Sequence, residues 1–454
     1  MARFCLPTGP LACIVALLLP VQVLADLPVH CLRHQVVGEW RFFLGPLQPQ
    51  RSSCGHARPD VEEKQPGREL VSQQGDVSQM TVTMENPHRA VTDSDTVGTW
   101  TMIYDEGFEV NIAGLNLFAF SNFTFQQNKS DPAQKYNVSH CGATMVGWYQ
   151  NKDRTQFGCY YAYKVDQDGE QHQQQQEQPD AATHQAIPQI VVLARTGVKP
   201  EERPLDHAAQ KKVVAKLNRR ISALQLGWQA RSMSKWNGRT MQEVNSYAGI
   251  RRSVKTRDLH RDMVRQHFAT AEDPIASKPK SLLQRGRSAA RITSEGLPKT
   301  FDWSDVNGVD YLEPVMDQQD CGSCYAASSM RMLTARHKIK QNNTELLPWS
   351  INFPLFCSEY NQGCKGGFGI LLAKWSRDVG LLPATCMRYN TAGSCKLECD
   401  VKTLEGKRFR AGNHRYVGSF YGNSSVEAIQ QELYENGPLV VGLEPTEDFM
   451  FYSE

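Results

Sequence analysis

A chain of 454 residues is too long for one compact core and points to two or three domains. Its 50 Lys and Arg stand against 48 Asp and Glu, for a formal net charge of +2. That balance excludes a bulk electrostatic attraction to nucleic acid or to an acidic membrane, so partners have to be read from local sites.

The chain opens with Met1-Ala-Arg3, an apolar run from Leu11 to Leu24 and a small-residue ending before Asp26. This is the pattern of a signal peptide over residues 1–25, cut between Ala25 and Asp26. A membrane span needs roughly 20 apolar residues, and no later segment approaches that length. The chain is therefore expected in the secretory pathway, in a lysosome or similar acidic vesicle or outside the cell.

Cys5 and Cys13 leave with the leader, and eleven cysteines remain. In an oxidising compartment an odd number implies disulfides plus at least one remaining thiol. Sequons at Asn122, Asn128, Asn137, Asn342 and Asn423 fit the same compartment. No cysteine falls between Cys159 and Cys321, which divides the mature chain into two disulfide-bearing parts around a different kind of segment.

Residues 26–165 are expected to form the first part. The runs Gly38 to Gly45, Ser78 to Glu85, Gly98 to Phe125 and Met145 to Gln150 alternate aromatic or β-branched residues with polar ones and are broken by Gly and Asn. They read as antiparallel hairpins closing a small sandwich or barrel.

Residues 166–296 read as linker. The stretch 166–189 is Gln-rich and nearly free of large apolar residues, as in a disordered insert. From Lys211 to Ala230, the residues Val214, Leu217, Ile221, Leu224 and Trp228 fall at helical spacing and predict a helix. Between Arg251 and Thr300, twelve Lys or Arg accompany five Asp or Glu, with Pro274, Pro279 and Gly286 as breakers. In a secreted chain this is a solvated, excisable connector, and no nucleic-acid partner is expected.

The last domain, residues 297–454, contains "QQDCGSCYAASSM". The pair Cys321 and Cys324 matches a redox spacing, but the preceding "PVMDQQD" is polar and loop-like rather than a strand. No second Cys or His pair follows at zinc-ligand spacing, so no metal is expected. Residues 324–339 are good helix formers, with Ala327, Met330 and Leu333 on one side. A thiol in the first turn of a helix faces unpaired N–H groups and the positive dipole end, which favours the thiolate nucleophile. Gly322 and Ser323 leave room for a substrate backbone.

"CGSCY" satisfies the Cys-Gly-[Ser/Ala]-Cys-[Trp/Tyr] signature of papain-like cysteine proteases. Gln318 matches the family's oxyanion-hole glutamine, "GCKGG" resembles its Gly-Cys-X-Gly-Gly substrate loop with Gly366 and Gly367, and "FDWSD" is similar to its mature N-terminus. Tyr325, the segment "YVGSFYG" and the order of leader, β-domain, excised segment and peptidase domain resemble the cathepsin C, or dipeptidyl peptidase I, family.

The resemblance implies an α+β fold, a papain-like two-lobed domain preceded by an antiparallel β-barrel exclusion domain. It also implies the pairings Cys31–Cys141, Cys54–Cys159, Cys321–Cys364, Cys357–Cys395 and Cys386–Cys399. These leave Cys324 as the catalytic thiol, with Gln318 as its oxyanion donor. A wall beyond the second substrate residue turns an endopeptidase cleft into one that removes dipeptides from peptides with a free N-terminus, and a carboxylate there can hold the substrate ammonium. By resemblance that carboxylate is Asp26. Phe368 and Tyr416 match the family's chloride site, while Ile370 stands where the family has another tyrosine. The resemblance also implies assembly as a homo-tetramer.

General-base chemistry needs a histidine beside the thiolate and an asparagine to orient it. In the family both lie downstream, and the sequence reaches Glu454 before either. His337 lies about 220° round the helix from Cys324 at 100° per residue, and His414 matches no catalytic position. The apolar run from Gly437 to Pro445 is expected to be a strand with an unpaired edge. The expectation is an incomplete product of an active enzyme, its C-terminal part missing. The alternative is a catalytically inactive, truncated papain-like binding protein.

Overall fold

The computed structural model describes residues 29–63, 67–128, 131–165, 204–240, 243–244, 247, 296–400, 409–412, 414–443 and 447–453. The expected leader, Asp26, the Gln-rich stretch 166–189 and nearly all of the basic connector lie outside the described residues.

The N-terminal domain is built of β1 (Gly38–Leu44), β2 (Ser78–Glu85), β3 (Arg89–Thr92), β4 (Val97–Ile103), β5 (Gly107–Ile112), β6 (Leu115–Asn128), β7 (Asp131–Thr144), β8 (Gly147–Asn151) and β9 (Phe157–Lys164). All pair antiparallel. Neighbours run in chain order from β1 to β6, β6 then pairs with β8, β8 with β9, and β9 returns to β1. This closes an eight-stranded barrel with no open edge, and β7 lies along the outer half of β6 as a hairpin. Alternation along β1 shows how the sequence specifies the wall: Trp40, Phe42 and Leu44 are buried, Arg41 and Phe43 between them are half-buried, and Glu39 ahead of them is exposed.

Two short helices, α1 (Arg33–Val36) and α2 (Gly67–Ser72), pack against β7 and β9 respectively. Cys31–Cys141 and Cys54–Cys159 tie the irregular segments to β7 and β9.

In the linking region α3 (His207–Ala223) starts at Asp206, whose side chain accepts from the Ala209 N–H. The helix expected through Ala230 is corrected here: it stops at Ala223, Leu224 is 61% exposed, and Gln225 has a φ of +51°. Trp228 still joins Leu217 and Ile221, but by a turn of the chain and not by helical spacing. Strand β10 (Gln229–Ala230) pairs with β11 (Tyr452–Ser453), and Phe451 completes this small core.

The last domain is mainly helical among the described residues. It contains α4 (Cys324–Gln341), α5 (Asn352–Cys357), α6 (Gly369–Asp378) and α7 (Val426–Asn436). Cys321, Tyr325, Ala326, Met330, Leu355 and Leu372 form the core beneath the start of α4. The strand expected from Gly437 to Pro445 is not formed over its described residues: 437–443 take no regular secondary structure, with Val441 70% and Leu443 68% exposed. A strand needs a pairing neighbour, and none adjoins it among the described residues.

The two domains share one hydrophobic cluster, in which barrel residues such as Phe118, Trp148 and Tyr149 pack with Phe353, Tyr360, Leu371 and Trp375.

Candidate active site

Cys324 is the first residue of α4, follows the buried Ser323 and is half-exposed. Residues Cys31, Cys54, Cys141, Cys159, Cys321, Cys357, Cys364, Cys386, Cys395 and Cys399 form five disulfides, in the pairs that the resemblance implies. Cys324 keeps its thiol. The opening alternatives for the two cysteines resolve in the geometry: Cys321 is bonded to Cys364, and the Gly322 N–H donates to the Cys364 carbonyl at 2.9 Å. One covalent and one hydrogen-bonded link thus hold the turn before Cys324 against the glycine loop.

That loop is shaped by close approach. Gly366 has a φ of +122°. A Cβ on Gly367 would lie 2.4 Å from Asn361 Oδ1 and 2.7 Å from the Tyr325 ring, so only glycine fits without a shift. Asn361, itself buried, accepts the Phe368 N–H at 2.8 Å, and the Tyr325 hydroxyl donates to the Gly363 carbonyl at 3.2 Å. Burial drives the Tyr325 phenol far above its ordinary range, which keeps it a neutral donor.

Gln318 is positioned by its own amide, whose Nε2 donates to the Cys321 carbonyl at 2.7 Å. A second route reaches the same turn: the Tyr389 hydroxyl donates to the Gln318 carbonyl at 2.6 Å and lies 2.6 Å from Ser323 Oγ. The other Nε2 hydrogen is engaged by the linking region, donating to the Tyr247 backbone carbonyl at 2.6 Å. The Tyr247 hydroxyl donates to Asp320 at 2.5 Å and Arg239 reaches the same carboxylate at 3.2 Å. Desolvation and the bond to Asp320 push the Tyr247 phenol up to about 12.

Neither histidine of this domain meets the thiol. His337 stacks on Trp349 with ring centres 5.2 Å apart, and His414 Nε2 lies 2.8 Å from Glu109 of β5, in the barrel interface.

Phe368 and Tyr416 belong to an aromatic chain crossing the domain boundary: Phe368 meets Tyr104 at 4.8 Å, Tyr104 meets Tyr421 at 5.0 Å, and Tyr421 meets Tyr416 at 5.5 Å. The Tyr416 hydroxyl is buried beside the Tyr104 backbone, which bonds to it, and its own hydrogen meets no acceptor among the described residues, a donor of the kind an anion accepts. Ile370 is half-buried on α6 and offers no such donor.

Sequence reasoning did not find Tyr389, Asn361 or the Tyr247–Asp320 contact. Asn361 stands six residues before Gly367 at the start of a Gly-rich turn, a weak signal. Nothing in the chain order marks Tyr389 or Tyr247, because their roles come from long-range approach.

A thiol at a helix N-terminus, a disulfide-braced glycine loop and an amide donor beside them define a papain-like cysteine protease centre joined to an antiparallel barrel. Comparison with known proteins agrees on both parts. Residues 26–164 match the cathepsin C exclusion domain, and residues 297–454 match the papain family of cysteine proteases. The chain is 27% identical to cathepsin C of Schistosoma mansoni, over 95% of this chain and 78% of that protein. It is 22% identical to dipeptidyl aminopeptidase 1 of Plasmodium falciparum, over 95% of this chain and 81% of that protein. A procathepsin L from the Tenebrio molitor midgut superposes with a TM-score of 0.37 at 16% identity, over 54% of this chain and 67% of that one. Residues 297–454 are thus a papain-family cysteine protease domain, preceded over residues 26–164 by a cathepsin C exclusion domain.

Proposed function

We propose that the protein is a cysteine dipeptidyl aminopeptidase, in the inactive form of a zymogen here, that removes dipeptides from peptide N-termini. The observation that carries this reading is the direct contact of barrel and substrate loop: Tyr104 of the barrel packs on Phe368, the residue after Gly366-Gly367. An extended peptide pairs with such a loop through its backbone. A solid domain placed against the loop leaves room for only a short N-terminal segment of substrate, so the free ammonium, held by Asp26, sets the point of cleavage.

In the reaction the Cys324 sulfur attacks the carbonyl after the second residue, and the Gln318 amide with the Cys324 N–H stabilises the oxyanion. The C–N bond breaks as the leaving amine takes a proton from a histidine, and water then hydrolyses the thioester. His337 and His414 are committed elsewhere, so the proton carrier and its orienting asparagine are other residues. Gln318 can serve only after its bond to the Tyr247 carbonyl is lost, which supports excision of the linking region as the activating step. Chloride, where bound, would accept a hydrogen bond from the Tyr416 hydroxyl beside the Phe368 ring and help shape the pocket. A signal peptide with five disulfides supports a secreted or lysosomal location.

The test is release of a fluorogenic leaving group from a dipeptide conjugate with a free amine, against its N-acetylated form, after excision of the linking region. Turnover of the first alone supports the reading. Equal turnover makes the protein an endopeptidase. Absence of turnover, with no labelling of Cys324 by a thiol-directed epoxide, leaves the non-catalytic binding protein.

A further inference from the structure

We propose that Lys374 and Asp378 of α6, clasped by Glu109, Asn116 and Gln150 of the barrel, are positioning residues that set the distance between the barrel wall and the Gly366–Gly367 loop, and so the substrate length. This rests on the dipeptidyl reading above.

Helix α6 starts two residues after Gly367, so its N-terminus continues the substrate loop and its C-terminal half reaches the barrel. Lys374 and Asp378 stand one helical turn apart on one face, and both are almost fully buried. Lys374 Nζ lies 3.3 Å from Asp378, 3.7 Å from Glu109 and donates to Asn116 Oδ1 at 2.5 Å. Asp378 in turn accepts from Gln150 Nε2 at 2.7 Å and from the Tyr360 hydroxyl at 3.3 Å. Asn116 Nδ2 donates to Glu109, and His414 closes the other side of Glu109. Arg51 bonds Glu359 and the Tyr360 hydroxyl at the rim of the cluster.

Each of these bonds runs between the two domains or braces one that does. None of these side chains touches the thiol or the glycine loop, so the reaction itself makes no use of them.

An apolar interface alone would not specify a register. The contacts of Tyr360 with Phe118 and Trp148, at 5.1 and 4.8 Å, are non-directional and survive small displacements. Buried ions do not, because a slip by one strand residue, about 3.3 Å, leaves a charge without a partner where water cannot reach it. The strength of the pairing shows in the carboxylates. Burial by itself raises Glu109 and Asp378, yet His414 and Lys374 hold Glu109, and Lys374 first of all holds Asp378, below the ordinary carboxylate range. Helix α6 therefore carries one fixed geometry from the ionic end to the loop at its other end, where Phe368 meets Tyr104.

The test compares labelling of Cys324 by a dipeptidyl epoxide with a free amine and by the same epoxide N-acetylated, in the protein freed of its linking region. Wild type is expected to favour the free amine by about tenfold or more. Lys374→Met should bring the two rates to within about threefold because the acetylated probe speeds up, and Lys374→Arg should restore the preference. Gln150→Met removes one clasp while leaving Lys374 paired, and should shift the ratio the same way in a variant less prone to misfold. If both rates fall together in folded Lys374→Met and Gln150→Met, or the ratio does not move, the cluster only stabilises the interface and the proposal is overturned. If wild type shows no preference, the dipeptidyl reading fails first and takes this one with it.

Discussion

The Gln318 side-chain amide donates to the Tyr247 backbone carbonyl at 2.6 Å, so the group suited to meet a substrate oxyanion already holds a carbonyl of the same chain. The contact is secured from outside by the Tyr247 hydroxyl on Asp320.

Tyr247→Phe keeps the ring and the carbonyl but deletes the bond to Asp320. One charge-assisted hydrogen bond at an exposed site corresponds to about a 3- to 10-fold change in equilibrium. Epoxide labelling of Cys324 in the intact chain should accelerate by that factor, while labelling after excision of the linking region stays unchanged. The hold should also survive mild acid. Its bonds to Tyr247 and Arg239 lower the Asp320 carboxyl from its ordinary 3.8, so this stabilisation is present above that pH and is lost only as pH falls through the lowered value. Labelling of the intact chain that accelerates already at pH 5 would contradict this.

Gln318→Ala removes the proposed oxyanion donor. Loss of one such donor typically costs about 10²- to 10³-fold in kcat, with KM nearly unchanged because the ground-state carbonyl gains little from it. Steady-state kinetics on the excised protein measure both, and a change confined to KM would remove Gln318 from the oxyanion site.

Gly367→Ala sets a methyl against Asn361 Oδ1 and the buried Tyr325 ring. The loop must move by several tenths of an ångström, so substrate pairing should weaken by about tenfold or more in KM. Cys324 labelling by a small, non-peptidic thiol reagent should stay near wild type, since the turn before α4 is also held from outside the loop by the Tyr389 hydroxyl on the Gln318 carbonyl and Ser323. Crystal structures of the variant would locate the shift.

Glu63 in the barrel accepts the Val146 N–H, and burial raises its carboxyl to about 7 from the ordinary 4.5. A raised carboxyl is stabilising in its protonated form: the contribution is complete below pH 4.5 and is lost as pH rises through about 7. His56, 4.0 Å away, works in the opposite direction: burial lowers it, so its contribution is complete above 6.5 and fades as pH falls through the lowered value. Glu63→Gln keeps the acceptor and removes only the first effect. Thermal melts should show the variant more stable than wild type at pH 8, by several degrees, and little different at pH 5.

Much of the barrel was legible because strand patterning is local. The period-2 alternation in Trp40, Phe42 and Leu44 is visible in any seven-residue window, and each of the four aromatic-rich runs contains at least one strand. The errors came where local periodicity met a distant partner. Leu224 and Trp228 continue the helical spacing of α3, yet the chain turns after Ala223, because Trp228 gains more by packing across β10 against Tyr452 of the last domain. The run from Gly437 is apolar enough for a strand, but apolarity does not supply the neighbour that a strand must bond.

The candidate site divides along the same line. Short-range chemistry placed Cys324 at a helix start, the cysteine count implied that a thiol remains, and the resemblance of GCKGG to a family motif pointed to Gly366 and Gly367. Tertiary structure alone decided that Gln318 faces Tyr247, that Tyr389 braces the turn from 71 residues away, and that Lys374 is neutralised by a barrel strand. A side chain's own chemistry is written in the sequence, but the partner of a buried charge or donor is chosen by the fold, which brings together groups hundreds of residues apart and excludes the water that would otherwise satisfy them.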